Sequence, residues 1–406
     1  MYKPRNVFSL DGYISYKNHH KKYRPNYHKS GPMMDAIVVP HAREASSIER
    51  SALLASEANI PLVSLSSHKA DFREVAEFLE GMQEYAPLTY YAVNFPDGFE
   101  IPNSDIRAQE EIPPFAIKPE SFDLPQKRDA GLFLGERILY LDDDLDIVRR
   151  LMGLKAIAAA LEERAIAGPS CNPTMPDRSV IQHSKLALLK YHMNARNYSI
   201  AHGASSGQLS GNSMAVNTSL LDGHFVRRIY NEDLILDDPN RRARMSSVAP
   251  ARYTQDVYDP YNPIRAAEEE FGDNFLDGLT ATDDDETLLS KRHWQRQLDS
   301  RMAEYDWSLS NLGASRNGNY ANYMVVAGDP NYFEPMPKEQ QEKIGNALRA
   351  GCEILIQLES KDFVNYKRAW DEDRARWNKM KRAQPKRDIK QGLGYLGLNE
   401  YITNAA

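Results

Sequence analysis

An alternation of β and α patterns between residues 34 and 82 constrains the fold more than any other feature of the sequence. The runs "AIVVP" and "IPLVSLSS" are short and rich in β-branched residues, which is typical of buried strands. Each run is followed by a segment with helical periodicity, "SSIERSALLASEA" and "ADFREVAEFLEGM" respectively. Short connections between alternating strands and helices indicate a mostly parallel sheet flanked by helices. We therefore predict an α/β fold.

The chain beyond residue 84 adds loops, further strands and many helices. After a loop-rich stretch, "KRDAGLFLGE" reads as a helix, "RILYL" as a strand and "DIVRRLMGLKAIAAALEERAIAG" as a long amphipathic helix. A Gly/Ser-rich loop then runs into another strand, and a short helix begins at "EDLILDD". We predict three regions, namely a basic N-terminal extension (1–32), an α/β domain (33–240) and a mainly helical C-terminal region (241–406).

Composition and charge narrow the classes of function. The 406 residues carry a formal net charge of −7, which disfavours general nucleic-acid binding. No apolar run approaches the roughly 18 residues of a membrane span. The N-terminus also lacks a signal-peptide pattern, so we expect a cytoplasmic protein with no integral membrane segment. Cys171 and Cys352 have no metal or redox spacing and fit reduced thiols. The basic stretch Lys17–Lys29 is either an arm for phosphates or an acidic partner, or a solvated extension.

Three consecutive aspartates, Asp142, Asp143 and Asp144, follow the strand "RILYL". Because like charges at neighbouring positions repel one another, we expect a metal ion, a basic side chain or water beside them. Ligands of open α/β sheets bind beyond the carboxyl ends of the strands, where Asp142 and Asp144 can project into one cleft. Carboxylates suit a hard ion such as Mg²⁺ or Mn²⁺. A charged loop that caps the next helix is the alternative interpretation.

The order and spacing of several segments resemble a known family. "IVVPHAREASSIERSALLASEA", "PLVSLSS" and "KRDAGLFLGERILYLDDDLD" look like the nucleotide-sugar half of GT-A glycosyltransferases, especially the family 2-like group. That pattern runs from a strand with Pro-x-x-Arg or Asn through a helix and a second strand. An Arg-Asn/Asp-x-Gly-Leu helix follows, and then a strand that ends in Asp-x-Asp. The matching residues here are Pro40, Arg43, Lys127, Arg128, Asp129, Gly131, Leu132, Asp142 and Asp144.

The resemblance implies a metal-dependent glycosyltransferase with a GT-A fold over about residues 33–240. Such an enzyme moves a sugar from a nucleotide-diphosphate sugar to a hydroxyl-bearing acceptor. Asp142 and Asp144 would hold Mn²⁺ or Mg²⁺ at the diphosphate. The implied donor-binding residues are Pro40, His41, Arg43, Ser66, Lys127, Arg128, Asp143, Gly211 and Asn212. Serines stand where the family often has a base-binding aspartate, so a UDP-sugar is only the default donor.

The segment "SGNSMAVNTSLLDGHFVRRIYNEDLILDD" is similar to the acceptor segment of the same family. There a Glu-Asp pair begins a helix, and Glu232 and Asp233 match that pair here. An inverting transfer needs a carboxylate to take the proton of the acceptor hydroxyl. Asp233 is our first choice for this base and Glu232 our second. The alternative is that Asn231 and Glu232 merely cap the helix. The acceptor is unidentified, and homo-oligomerisation stays open.

Other classes of protein compete with this interpretation. "DDDLD" also matches the D-D-x-x-D diphosphate motif of isoprenoid synthases through Asp142, Asp143 and Asp146. That chemistry uses aspartates on a helix of an all-α fold, whereas a β-like run precedes them here. A nucleotidyltransferase of similar α/β build is the principal alternative, although "VPHAREAS" lacks the glycine-rich loop of that class. A non-catalytic scaffold is expected to have a broken aspartate cluster.

Overall fold

A computed structural model describes most of the chain from Met34 onward, and these residues belong to one compact unit, Met34–Ala406. The described residues are 34–118, 123–143, 145–147, 151–168, 213–229, 232–237, 244–245, 253–255, 261–282, 284–312, 338–383, 388–398 and 402–405. Asp144, Gly211 and Asn212, which we predict to bind the metal or the donor, lie outside the described residues. So do Asn231, Cys171 and the basic stretch 17–29.

The described strands form one large sheet and one small sheet. They are β1 Ala36–His41, β2 Leu62–Ser66, β3 Tyr90–Asn94, β4 Arg137–Leu141, β5 Leu145–Ile147, β6 Ile166–Ala167, β7 Ser213–Asn217, β8 Arg244–Met245, β9 Tyr253–Gln255 and β10 Ile402–Ala405. The large sheet has the order β10-β3-β2-β1-β4-β7-β6-β8, and β5 pairs with β9.

The described helices alternate with strands in the first half of the chain and dominate the second half. They are α1 Glu49–Ala58, α2 Phe72–Gln83, α3 Leu124–Gly131, α4 Leu151–Ala160, α5 Glu232–Asp237, α6 Pro263–Thr280, α7 Asp285–Leu288, α8 Lys291–Asn311, α9 Lys338–Leu355, α10 Ser360–Arg382 and α11 Ile389–Tyr395. The predicted α/β fold and the helical C-terminal region are therefore confirmed. None of these helices is both long and apolar enough to cross a membrane.

The four central strands β3, β2, β1 and β4 are parallel, so their carboxyl ends meet at one edge. Ile37 of β1 is paired with Leu62 on one side and Leu139 on the other. All six residues of β1 are buried, as expected for a central parallel strand covered on both faces. The outer strands make the sheet mixed, because β10 and β7 run antiparallel to β3 and β4.

Helix α10 ties the C-terminal helices to the sheet. Trp377 packs in the core beneath the sheet, whereas Trp370 packs in a second core among the C-terminal helices. The buried carboxylate of Asp373 accepts hydrogen bonds from the N–H groups of Arg107 and Ala108, at 2.9 and 2.6 Å. Helix α10 thereby holds the segment around residues 107–108, which follows β3 in the chain.

The prediction of one long helix over residues 146–168 is wrong at both ends, because the helix found there is limited to Leu151–Ala160. Residues 145–147 form strand β5, which pairs with residues 253–255 of β9. Residues 166–167 form β6 beside β7. Both ends pair with residues that are distant in the chain, and such pairing can override local helical periodicity.

Candidate functional site

Most of the predicted site residues gather at the carboxyl ends of the central strands. His41 is the last residue of β1, Ser66 is the last residue of β2, and Asp142 and Asp143 directly follow β4. This grouping is a consequence of the parallel arrangement, which is why ligands of open α/β sheets bind at this edge.

The buried guanidinium of Arg128 joins two carboxylates that are far apart in sequence. Its Nη2 donates to Asp142 Oδ1 at 2.9 Å, and its Nη1 donates to Glu232 Oε1 at 2.5 Å. Only 2% of the Arg128 side chain is exposed. Burial lowers the pKa of Arg128, but Asp142 and Glu232 outweigh that effect and raise the pKa above its ordinary value. Arg128 therefore stays charged and fixes the end of β4 against the start of α5.

A close approach of α3 to β4 places Arg128 there. A Cβ added to Gly131 would lie 2.6 Å from the buried ring of Tyr140, so a larger residue would push the helix away. Tyr140 in turn donates its hydroxyl to the carbonyl oxygen of Arg128 at 2.7 Å. The glycine three residues after Arg128 thus has a packing function in this chain.

The neighbouring residue Lys127 is equally buried and links β1 to the loop after β2. Its Nζ donates to the carbonyl oxygen of His41 at 2.9 Å and to Ser67 Oγ at 2.6 Å. The carboxylate of Asp123 lies 3.2 Å away. Burial lowers the pKa of Lys127, while Asp123 opposes this effect. Lys127 thus connects the end of β1 to the residue that follows β2.

Residue His41 belongs to a chain of buried hydroxyl groups. Its Nδ1 lies 3.1 Å from Ser64 Oγ, and its Nε2 lies 2.9 Å from Ser47 Oγ. Ser64 and Ser66 share a hydrogen bond of 2.9 Å, and Ser66 is fully buried. Pro40 is also buried. Burial lowers the pKa of His41, so the imidazole is neutral near pH 7. These polar groups satisfy one another among the residues predicted to bind the donor.

The second aspartate, Asp143, holds the turn after β1. Its Oδ2 accepts hydrogen bonds from the N–H groups of Ala42 at 2.8 Å and Arg43 at 3.2 Å. Arg43 Nε also lies 3.5 Å from Asp143 Oδ1. Basic side chains, one of the three possibilities predicted for the aspartates, lie beside both Asp142 and Asp143.

The two carboxylates predicted on the acceptor side differ in their surroundings. Glu232 is 4% exposed, and burial raises its pKa to about 7 although Arg128 opposes the rise. Asp233, the next residue of α5, is only half-buried. Glu232 is therefore an internal, paired group, whereas Asp233 is accessible to a solute.

Sequence reasoning missed one cation of this site, Lys118. Its side chain is buried, which lowers its pKa, and the charge of Glu232 is the largest effect that opposes the lowering. The backbone N–H of Lys118 donates to the carbonyl oxygen of Arg228 at 3.0 Å, and Arg228 Nε donates back to the Lys118 carbonyl at 2.9 Å. Lys118 lies in a segment without periodicity, where only a lone lysine between apolar residues and proline could have drawn attention.

Within the described ranges, no group of three or more His, Cys, Asp or Glu side chains is arranged to hold a metal ion. Asp142 is paired with Arg128, and Asp143 is engaged by two N–H groups. His224 and His293 are buried, and each hydrogen-bonds a backbone carbonyl oxygen. The described residues therefore do not form the implied metal site by themselves, and Asp144 lies outside them.

No protein-family model matches the chain, and no curated protein matches it significantly. The residues and geometry given above are therefore what bears on function.

Proposed function

We propose that the protein is a glycosyltransferase of GT-A-like architecture that moves a sugar from a nucleotide-diphosphate sugar to a hydroxyl-bearing acceptor. The observation that carries the proposal is the bridge that Arg128 makes between Asp142 and Glu232. Asp142 belongs to the predicted donor side, and Glu232 to the predicted acceptor side. A transfer reaction requires both sides to be fixed close together, because correct positioning supplies much of the rate enhancement.

The donor side is the edge formed by the ends of β1, β2 and β4. Arg43 is 42% exposed there and can turn toward a diphosphate, whereas Lys127 and Arg128 are buried and hold the edge in shape. The carboxyl edge of parallel strands is also where nucleotide ligands of open α/β sheets bind.

The charge balance of this edge favours a cation that arrives with the donor. Arg128 is shared by Asp142 and Glu232, and Lys118 adds a second positive charge near Glu232. Lys127 pairs with Asp123, and Arg43 pairs with Asp143. A diphosphate would therefore add negative charge that these pairs do not balance. Asp142 and Asp144 are the residues proposed to hold Mg²⁺ or Mn²⁺, which supplies Lewis-acid stabilisation of the leaving diphosphate when bound.

On the acceptor side, Asp233 is the proposed general base. Its half-buried carboxylate takes the proton of the acceptor hydroxyl while that oxygen attacks the anomeric carbon. A new glycosidic C–O bond forms as the bond from the anomeric carbon to the diphosphate oxygen breaks, and the nucleoside diphosphate leaves. Glu232, which is paired with Arg128, holds the start of α5, the helix that carries Asp233 as its next residue.

The isoprenoid-synthase alternative is disfavoured by the local structure. Its three aspartates would need to lie one helical turn apart on a helix, but Asp142 and Asp143 follow β4, and Asp146 lies within β5. The nucleotidyltransferase alternative shares the sheet edge with the proposed function and differs in which bond is broken.

Phosphorus NMR of reaction mixtures tests the proposed function. The protein is incubated with UDP- and GDP-sugars, Mn²⁺ and a panel of hydroxyl acceptors. Sugar transfer, or hydrolysis of the donor by water, releases a nucleoside diphosphate, and this is the expected product. A parallel mixture contains nucleoside triphosphates, sugar phosphates and Mn²⁺. Release of inorganic pyrophosphate there, without release of nucleoside diphosphate in the first mixture, would support a nucleotidyltransferase and overturn the proposal.

A further inference from the structure

The side chain of Arg227 is buried but only partly used by the protein. It lies in the loop between β7 and α5, is 1% exposed, and forms an ion pair through Nη1 with Glu100. Its Nε and Nη2 atoms have no hydrogen-bond partner among the described residues. These two N–H groups form the edge of a guanidinium that binds a carboxylate or phosphate in bidentate fashion.

Three other buried polar atoms belong to neighbouring residues: the charge of Arg227 acts on Asp129 and His224, and the ring of Trp377 lies beside that of His224. The three atoms are His224 Nε2, Trp377 Nε1 and Asp129 Oδ2, and the described part of the chain offers none of them a hydrogen bond. The rings of His224 and Trp377 lie 5.2 Å apart, and His224 Nδ1 lies 3.8 Å from Asp129 Oδ2. Folded proteins rarely leave buried polar atoms unpaired, so this concentration indicates a small polar ligand.

Hydrogen-bond donors predominate in this group. Arg227 and Trp377 can only donate. Burial raises the pKa of Asp129 to about 8, although the nearby Arg227 opposes the rise, so at neutral pH its carboxyl group carries a proton that it can donate. Burial lowers the pKa of His224 to about 4, and its Nδ1 lies 2.8 Å from the carbonyl oxygen of Phe225. A neutral His224 leaves the positive charge of the group on Arg227, which favours an anion with several oxygen atoms.

Two carboxylates lie near this group, and they differ in how firmly they are held. Asp373 of α10 accepts hydrogen bonds from Arg107, Ala108 and Arg376 and is fixed. Glu100 is 66% exposed and pairs with Arg227 from the solvent side. An exposed side chain can turn away at little cost. Glu100 therefore covers the Arg227 guanidinium on the solvent side, and an incoming anion can displace it.

We propose that Arg227 is the base of an oxyanion-binding site covered by Glu100, in which Trp377 Nε1 is a second donor. The site takes the carboxylate or phosphate group of a small molecule. It is built from α3, α10 and the loop before α5, and it does not depend on the proposed glycosyltransferase activity. Because Arg227 lies five residues before Glu232 in the chain, occupancy also steadies the loop that leads to the acceptor side.

Indole NMR resonances provide a direct test in the full chain. The protein has four tryptophans, and Trp377→Phe identifies the resonance of Trp377 while it keeps an aromatic ring in the core. Inorganic phosphate and acetate are titrated separately, which distinguishes a tetrahedral from a planar oxyanion. The expected result is a saturable shift of the Trp377 resonance with at least one of the two anions.

Variants that change one charge then test whether Glu100 competes with the anion for Arg227. Glu100→Gln removes the competing carboxylate and should tighten binding roughly tenfold. Glu77→Gln removes an exposed carboxylate from α2 and should leave binding unchanged. Arg227→Lys keeps the charge without the fork and should weaken binding. The proposal is overturned if neither anion shifts the Trp377 resonance in wild type or Glu100→Gln, or if Glu100→Gln and Glu77→Gln bind equally.

Discussion

The carboxylate of Asp142 lies 2.9 Å from a guanidinium nitrogen of Arg128, whose other terminal nitrogen is bonded to Glu232. Residue 142 follows a central strand, and residue 232 begins a helix 90 residues later. The bridge explains how consecutive aspartates are tolerated at a strand end, because a buried positive charge lies beside the first of them. It also makes Arg128 the residue on which both sides of the proposed site depend.

Replacing Arg128 should destabilise the protein strongly. Arg128→Met leaves two carboxylates without their buried partner, which typically costs about 3–5 kcal/mol in the free energy of unfolding. Denaturation by urea measures this loss. The more exposed Arg43 serves as a control, since Arg43→Gln should cost less than about 1 kcal/mol. Adding Glu232→Gln to Arg128→Met should recover part of the loss, and no recovery would argue against the bridge.

The close contact between Gly131 and Tyr140 should make Gly131 intolerant of a methyl group. In Gly131→Ala the new Cβ meets the buried Tyr140 ring, and overpacking of this kind costs about 1–3 kcal/mol. Gly81→Ala is a matched control in α2, where a Cβ meets nothing within 4 Å. That substitution should be neutral or stabilise the protein by up to about 1 kcal/mol. Equal thermal unfolding temperatures of the two variants would contradict the predicted contact.

Substitutions at Asp233 and Glu232 should separate chemistry from positioning. Asp233→Asn removes the proposed base, so donor binding should persist while transfer falls by about 10²–10⁴-fold. Glu232→Gln keeps a hydrogen-bond acceptor for Arg128 and should retain more activity than Asp233→Asn. Calorimetry of donor binding and a product assay measure the two effects. Full transfer activity in Asp233→Asn would remove Asp233 from the role of base.

Ionisation of Asp129 should make stability fall as pH rises. Burial raises the pKa of Asp129 in the folded protein from its ordinary value of 3.8 to about 8. The contribution of the protonated group is therefore complete below pH 4 and is lost as pH rises toward and through 8. Asp129→Asn keeps a neutral side chain that can still accept the hydrogen bond from Phe225. Relative to wild type, this variant should gain stability between pH 5 and pH 8.5, and a constant difference in urea denaturation would contradict the prediction.

The parts of the fold that follow from local pattern were predictable. Strands β1, β2 and β4 and helices α1 and α2 come from β-branched runs and helical periodicity within a dozen residues. Strands β5 and β10 were missed, because each depends on pairing with a distant segment, residues 253–255 and 90–93 respectively. Sequence periodicity carries no information about such partners.

The location of the site was predictable from the sequence, but the hydrogen bonds and ion pairs among its side chains were not. Residues at the carboxyl ends of β1, β2 and β4 come together because parallel strands share an edge. The sequence could not show that His41, Ser64 and Ser66 satisfy one another, or that Arg128 is buried between two carboxylates. These facts depend on burial, which follows from tertiary packing.

The most direct test of the proposed nucleotide-sugar dependence is calorimetric titration of the protein with UDP, GDP and their sugar conjugates. Each ligand is titrated with Mn²⁺ and again with excess chelator. The proposed function predicts saturable, Mn²⁺-dependent binding of one nucleotide and its sugar conjugate. Absence of binding for every nucleotide, with and without Mn²⁺, would contradict the assignment as a glycosyltransferase.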